Sequence, residues 1–452
     1  MVLKRYWLFS TAVLSFIAST VFGQAAEIVL DPETTFQTMS GWEATADLPD
    51  NPAAPVWAPY RQEMLDRVVT EVGINRLRLE IRSGAESSTG VIRKHIAGEI
   101  TFDQWEATRY KKDNDNDDPF NINWNGFDFA ELDWHIENTI LPIRKRMAAQ
   151  GETLIVNLCY VNFSEPGFHA NADEYAEFVL ATYLHMQEKY GLVPDMWEVI
   201  LEPDIRKANP KADRWSGEMM GHAMVATAAR LRDHGFDPSF VAPSVTNIKN
   251  TLPFAKAIAS VPGALEDFDE LSYHRYWSGW PEILAQISDF ADQHDMRVSM
   301  LEWWFGKATH EILHEDLTIG NNSAWQGRVA RGLHQPPSFW QTKGLRLQPE
   351  VRYNLQYFRH VRHGAIRIGA ITDRPGIFDP VAFINTDGRY TVVVKSSQGG
   401  PISVTGLPPG KYNVSYAVKA GSVEESTPVI PKDDGHLTTA IPAAGVLTIA
   451  AQ

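Results

Sequence analysis

Two hydrophobic periods alternate along the chain between residues 36 and 371. Residues 75–81 repeat every second position, with Leu77, Leu79 and Ile81 facing one way and Arg76, Arg78 and Glu80 the other. Similar short runs at 36–44, 154–161, 197–202, 240–243, 271–276, 298–302 and 365–371 read as strands. Helical periodicity fills the spaces between them. Residues 60–72 carry Met64, Leu65, Val68 and Val69 on one stripe and stop at Gly73. Residues 129–149, 175–190, 215–232, 253–260, 281–294 and 351–363 follow the same grammar. About eight strand–helix alternations over roughly 330 residues predict an α/β fold, a (β/α)8 TIM barrel spanning 36–376.

The pattern changes past Pro380. Short runs at 381–384, 390–395, 402–404, 412–418 and 446–450 are separated by Gly, Pro, Asp and Asn, with no helix between them. That grammar predicts a C-terminal antiparallel β-sandwich over 377–452. A weak alternation within 26–35 is expected to be a strand lent to this sandwich. Residues 1–25 read differently again. Lys4 and Arg5 precede an apolar run at 6–22, and Gly23-Gln24-Ala25 offers small residues for cleavage. This is the layout of a secretory signal peptide, and it predicts a secreted or periplasmic protein. No later stretch is apolar enough to span a bilayer, so no membrane association is expected after cleavage.

The net charge of −15 argues against nucleic acid and anionic membrane as partners. The single cysteine, Cys159, excludes an intrachain disulfide and lies in an apolar run, where packing is its expected role. Fourteen Trp and fourteen Tyr allow for aromatic platforms that stack on sugar rings, as well as for ordinary packing.

The stretch Trp197-Glu198-Val199-Ile200-Leu201-Glu202-Pro203-Asp204 carries the first candidate chemistry. Trp, Val and Ile favour a buried strand, and Pro203 ends it. Alternation places Met196, Glu198, Ile200 and Glu202 on one face, with Glu202 at the tip. The C-terminal tips of a parallel barrel open onto its active site. The run at 298–302 also ends on a carboxylate, Glu302, followed by Trp303-Trp304-Phe305-Gly306. Two carboxylates at strand tips, each with Trp nearby, are the equipment for glycosidic bond cleavage. One protonates the leaving oxygen and the other acts on the opposite face of the ring.

On these residues the chain resembles the retaining glycoside hydrolases of clan A, of the family 30, 39 and 51 type with an attached β-sandwich. Their fourth strand commonly reads Trp-Glu-x-x-Asn-Glu-Pro, matched here by Trp197, Glu198, Glu202 and Pro203. The resemblance implies Glu202 as acid/base and Glu302, ending the seventh strand, as nucleophile. It implies His274 and Tyr276 of the sixth strand as holding the nucleophile and the sugar, and Arg78 rather than Arg76 as the arginine on the nucleophile. Gln37, Gly41 and Trp42 resemble the family 30 first strand. Trp42, Glu43, Asn162, Trp277 and Trp304 are the further substrate-binding candidates. The substrate implied is a poly- or oligosaccharide, and no cofactor or metal is expected. One departure stands out: Leu201 replaces the Asn that bonds the sugar 2-hydroxyl in those families.

Rival readings rest on separate residues. His310-Glu311-Ile312-Leu313-His314 has zinc-peptidase spacing, although Leu317 stands where the extended motif needs Gly. Leu201 would suit a glycan-binding barrel without catalysis. Asp113, Asp115 and Asp117 are spaced like a calcium loop, but Asp118 and Trp124 occupy positions that an EF-hand gives to Gly and Glu, so a solvated acidic loop is expected. Arg328, Arg331, His334, Lys343 and Arg346 form a local basic excess that would suit either a solvated face or an anionic glycan.

Overall fold

The computed structural model describes residues 24–46, 58–205, 214–276, 281–303, 308–327, 333–335, 345–424 and 435–452. The signal-peptide reading, Trp277, Trp304, Arg328, Arg331 and Lys343 lie outside these residues or almost wholly so.

Eight parallel strands close the barrel in sequence order: β2 (Gly41–Thr45), β3 (Arg76–Arg82), β4 (Ile155–Val161), β5 (Met196–Glu198), β6 (Phe240–Val245), β7 (Phe268–His274), β8 (Arg297–Glu302) and β9 (Asn322–Trp325), with β9 returning to β2. On β3 the outward Leu77, Leu79 and Ile81 join the apolar layer beneath the helices. Arg76 and Arg78 project inward and are fully buried. Helices Ala172–Tyr190 and Gly217–Asp233 begin at Asn171 and Ser216, whose side chains accept from Asp173 N and Met219 N. The first helix, from Arg61, widens into a π turn at Val68–Val72 and ends at Gly73 with φ +88°. A Cβ there would stand 2.8 Å from Phe358 O, so only glycine fits.

The eighth barrel strand differs from expectation. It is β9, not the run at 365–371. Ile366–Thr372 instead pairs antiparallel with β1, which spans Ala26–Thr38. Residues 36–38 therefore belong to the second sheet, and the barrel begins at Gly41. The reason is burial. A barrel strand is covered on both faces, whereas Ile371 is 70% exposed and Ile366 is 40% exposed. β9 is short and carries Asn and Ser, so its hydrophobic signal is weak.

The second sheet has nine strands, in the order Gly421–Glu424, Tyr412–Val418, Gly445–Ala451, Tyr390–Ser396, Phe378–Ile384, Ile366–Thr372, β1, Gly400–Thr405 and Leu437–Ile441. Pairing is antiparallel except between β1 and Gly400–Thr405. Val414 and Leu447 near one end of the order share a single apolar cluster with Leu437 and Ile441 at the other. The sheet thus folds over on itself as a sandwich. It docks on the helix Val351–Phe358, where Thr448 Oγ1 donates to Gln356 O at 2.7 Å.

Charge fills the lower barrel. Arg76 donates to both oxygens of Glu270, at 2.8 and 2.7 Å, and through Nε to Glu43 at 2.5 Å. All three side chains are buried. Burial alone would raise the Glu270 carboxyl, but the Arg76 charge and hydrogen bonds outweigh it and push it down to about 2. For Glu43 burial prevails over Arg76, and its carboxyl is raised.

Replacing Arg76 by Leu removes the ion pair of buried Glu43 and leaves buried Glu270 with only the more distant Arg297, at 3.6 Å. Urea denaturation at pH 7 should register a loss of about 3–5 kcal/mol. Because the Glu270 carboxyl is depressed on folding from its ordinary 4.5, its contribution is present above that pH and disappears as pH falls toward about 2. The gap between R76L and the parent should therefore narrow in acid. A gap that widens there would contradict this account.

Candidate active site

Two strand tips are shaped by unusual backbone. Trp197 faces outward, and its Nε1 donates to Tyr175 OH at 2.7 Å. That leaves Glu198 facing the lumen, fully buried, with Oε2 on Asn157 Nδ2 at 2.9 Å. Simple alternation then fails. The strand proper ends at Glu198, and Ile200 joins the outer apolar layer rather than the lumen. Glu202 has φ +52°, in the left-handed region that non-glycine residues seldom adopt. Its N–H donates to Ser244 O at 3.0 Å, and Ser244 is itself left-handed at φ +47°. Ser244 sits at the bulge where the pairing register of β6 and β7 shifts, with its Oγ 2.7 Å from Ser272 Oγ. Asp204 then binds the following turn, accepting from Thr246 N at 2.7 Å and Asn250 Nδ2 at 2.7 Å. The turn in the backbone at Glu202, rather than strand alternation, directs its carboxylate over the barrel mouth.

Glu302 arrives from β8. Its Oε2 accepts from Arg78 Nη2 at 2.5 Å and its Oε1 from Tyr276 OH at 2.6 Å. His274 Nδ1 lies 3.0 Å from Glu202 Oε1. One oxygen of Glu202, one oxygen of Glu302 and a ring nitrogen of His274 all fall within 4.8 Å of one another, and the three residues are buried. Among the described residues this is the only cluster of three His, Cys, Asp or Glu ligand atoms so close together. The charges around Glu302 and His274 set their protonation. Burial opposes ionisation of Glu302, but the Arg78 and His274 charges and the Tyr276 hydrogen bond more than offset it, so the Glu302 carboxyl is held below its ordinary range. Burial likewise opposes charge on His274, and the hydrogen bond to Glu202 and the Glu302 charge overcome that, raising the imidazole. His274 Nε2 is buried without a protein partner.

The structure thus brings together Glu202, Glu302, Arg78, His274 and Tyr276. Arg78 reaches Glu302, and Arg76 serves the layer below. Two substrate-binding expectations are corrected. Trp42 points away from the lumen, fully buried, stacked 4.5 Å from Phe358, with Nε1 donating to Val361 O at 2.6 Å. Its place on β2 gives it the outward face. Glu43 pairs with Arg76 one layer beneath Arg78 and is only 2% exposed, which keeps it from a sugar at the mouth. Asn162 lines a cavity that Glu202 also lines, but its side chain holds the loop after β4, accepting from Ser164 Oγ at 2.7 Å and donating to Glu165 O at 3.3 Å. Trp277 and Trp304 lie outside the described residues. Leu201 packs with Cys159 and Val161.

Sequence reasoning passed over Ser244, Ser272, Asp204 and Asn157. The Asp after Glu-Pro and the serine two residues before His274 were the available signals for two of them. Rival sites find other uses. His310 stacks on Tyr353 at 4.4 Å, and the buried His314 has its Nδ1 3.1 Å from Tyr357 OH. Burial holds the His314 imidazole down at about 3. Among the described residues no third ligand joins them. Asp115 does not project into solvent. It is half-buried and accepts from Asn123 N at 2.5 Å, fixing the acidic loop internally. Arg346 is exposed on a short strand pair.

No protein-family model and no curated protein matches the chain. Solved structures do. A family 30 xylanase C catalytic domain from Talaromyces cellulolyticus aligns over 94% of this chain and 100% of its own, at TM-score 0.67 and 15% identity. A family 30 endoxylanase from Clostridium papyrosolvens covers the same shares at TM-score 0.64 and 17% identity. An endo-β1,6-glucanase aligns over 94% of both chains at TM-score 0.62 and 14% identity. The chain therefore has the barrel-plus-sandwich fold of family 30 glycoside hydrolases along nearly its whole length.

Substituting Tyr276 by Phe removes one of the hydrogen bonds that favour the Glu302 carboxylate. A carbon-13 NMR titration should show the Glu302 carboxyl moving to higher pH, by about 1 unit. An unchanged titration would mean that the hydroxyl does not stabilise the charge.

Proposed function

We propose that the protein is an exported glycoside hydrolase that cleaves a poly- or oligosaccharide with retention of anomeric configuration. The observation that carries this reading is the approach of Glu202 and Glu302 at the tips of the fourth and seventh barrel strands, with carboxylate oxygens within 4.8 Å. Retaining enzymes need their two carboxyl groups about 5–5.5 Å apart, and inverting enzymes about 6.5–9.5 Å, to admit a water between them. The compact spacing favours retention. The leader-like residues 1–25 support export.

In this mechanism Glu302, held ionised by Arg78 and Tyr276, attacks the anomeric carbon. The bond to the leaving oxygen breaks, and that oxygen takes the proton of Glu202. The resulting ester removes the Glu302 charge. Glu202, now a carboxylate, draws a proton from water, whose oxygen attacks the same carbon and releases Glu302. His274 positions Glu202 through Nδ1. Leu201 offers no hydrogen bond to a sugar hydroxyl.

Glu302→Ala should abolish turnover, and azide should restore it with a product of inverted configuration. Glu202→Ala should lower activity on natural polysaccharide by about 10²–10⁴-fold, spare the first step for substrates with good leaving groups, and give a retained azide adduct. An E202A enzyme with parental activity on polysaccharide would remove Glu202 from the acid role. Failure of both proteins and the parent on every glycan, with binding intact, would favour a non-catalytic glycan-binding barrel.

A further inference from the structure

A second feature adjoins Glu202. The loop after the short helix Phe102–Glu106, the loop after β4 and the residues leading into the helix Gly217–Asp233 enclose a cavity of about 640 Å³. Glu202, Pro203 and Ile200 line it, and Glu302 does not. It therefore lies on the side of the acid/base carboxylate, where the departing part of a glycan sits. Its volume suits one or two sugar units.

Among the described residues the walls carry three cations, Lys111, Lys112 and Arg214. Against them, among the same residues, stands one carboxylate besides Glu202, that of Glu165, which is exposed. Lys112 Nζ donates to Ser164 Oγ at 3.1 Å and to Glu165 O at 2.8 Å, so both of its hydrogen-bond partners are uncharged. Its burial draws the ammonium down to about 8, despite the attraction of Glu86 and Glu165. An ammonium withdrawn from water without a carboxylate in contact is a costly arrangement. Lys112, together with the exposed Lys111 and the half-buried Arg214 around one cavity, on a chain of net charge −15, concentrates positive potential where the rest of the molecule repels anions. Tyr110 and Phe168 supply aromatic surface beside them.

We propose that this cavity is a leaving-group subsite for an acidic sugar, one bearing a uronate carboxylate or a sulfate ester, with Lys112 and Arg214 as the groups that bind the anion. This deepens the hydrolase reading and rests on it for the assignment of the leaving side. The anion site itself can be tested by binding alone.

The experiment is affinity electrophoresis of the full-length protein in gels containing polygalacturonate, alginate or dextran sulfate, each beside a neutral counterpart: the carboxyl-reduced uronans and plain dextran. At least one acidic polymer should retard the parent protein at least tenfold more tightly than its counterpart, and added salt should weaken the effect. Uronans and dextran sulfate distinguish the carboxylate from the sulfate. The double variant Lys112→Gln/Arg214→Gln should lose the preference. Lys111→Glu, at an exposed position, should reduce it. Equal retardation by acidic and neutral partners, retardation by none of the acidic polymers, or a preference untouched by both variants would overturn the proposal. Binding of an acidic polymer through these cations without cleavage would leave the subsite standing and remove the hydrolase reading. Cleavage of neutral glycans unaffected by the charge changes would do the reverse.

Discussion

Two arginines on one face of β3 set the terms for everything inside the barrel. Arg76 and Arg78 are two residues apart, so they point the same way, about 7 Å apart along the strand. Neither reaches bulk water. A buried guanidinium demands carboxylates, and the two are served unequally. Arg76 is satisfied by Glu270 and Glu43 from strands on either side of it in the sequence. Arg78 places one nitrogen on Glu302 and near Glu80, while its Nε and Nη1 have no protein partner. The lower layer is thus an ion-pair network closed on itself. In the upper layer the Arg78 charge is directed at Glu302, whose carboxyl it helps hold below its ordinary range.

That field differentiates two otherwise identical side chains. Glu302 receives Arg78 and the Tyr276 hydroxyl, whereas Glu202 receives an imidazole. Two carboxylates with oxygens within 4.8 Å of each other are thereby given different partners. The backbone contributes as well. Left-handed residues at Glu202 and Ser244 sit on adjacent strand tips and share a hydrogen bond. Such conformations cost about 1–3 kcal/mol each and persist only where surrounding structure fixes them. Here Ser272 and Asp204 do the fixing.

The sandwich stands apart from this chemistry but not from the barrel. It holds the helix Val351–Phe358 through Gln356, and that helix backs the Trp42 ring of the first barrel strand. Trp42 is therefore a link between the two domains rather than a sugar platform. The H-E-x-x-H helix lies against the same region, and its histidines pack on Tyr353 and Tyr357.

The sequence alone determined the fold class and the placing of Glu202 and Glu302 at strand tips, whereas Arg78 rather than Arg76, on the same strand face, followed from the family resemblance. The first two depend on local properties: period, proline, and the alternation of one strand. The eighth strand was not legible, because Asn322–Trp325 is short and polar whereas 366–372 has the stronger apolar pattern. Only closure of the barrel and the pairing of β1 decided between them. Trp42 and Glu43 were misread for a related reason. Alternation says that neighbours face opposite ways, but not which face is the lumen or how deep a layer lies. The alternation that pointed to Glu202 did not survive in the strand itself, since the tip turns by a left-handed residue that no periodicity encodes. The hydrogen bond from Glu202 to Ser244, the His274 contact and the cavity of cations beside Glu202 join residues far apart in the chain. Their positions follow from how the loops pack over the barrel mouth, a property of the tertiary structure.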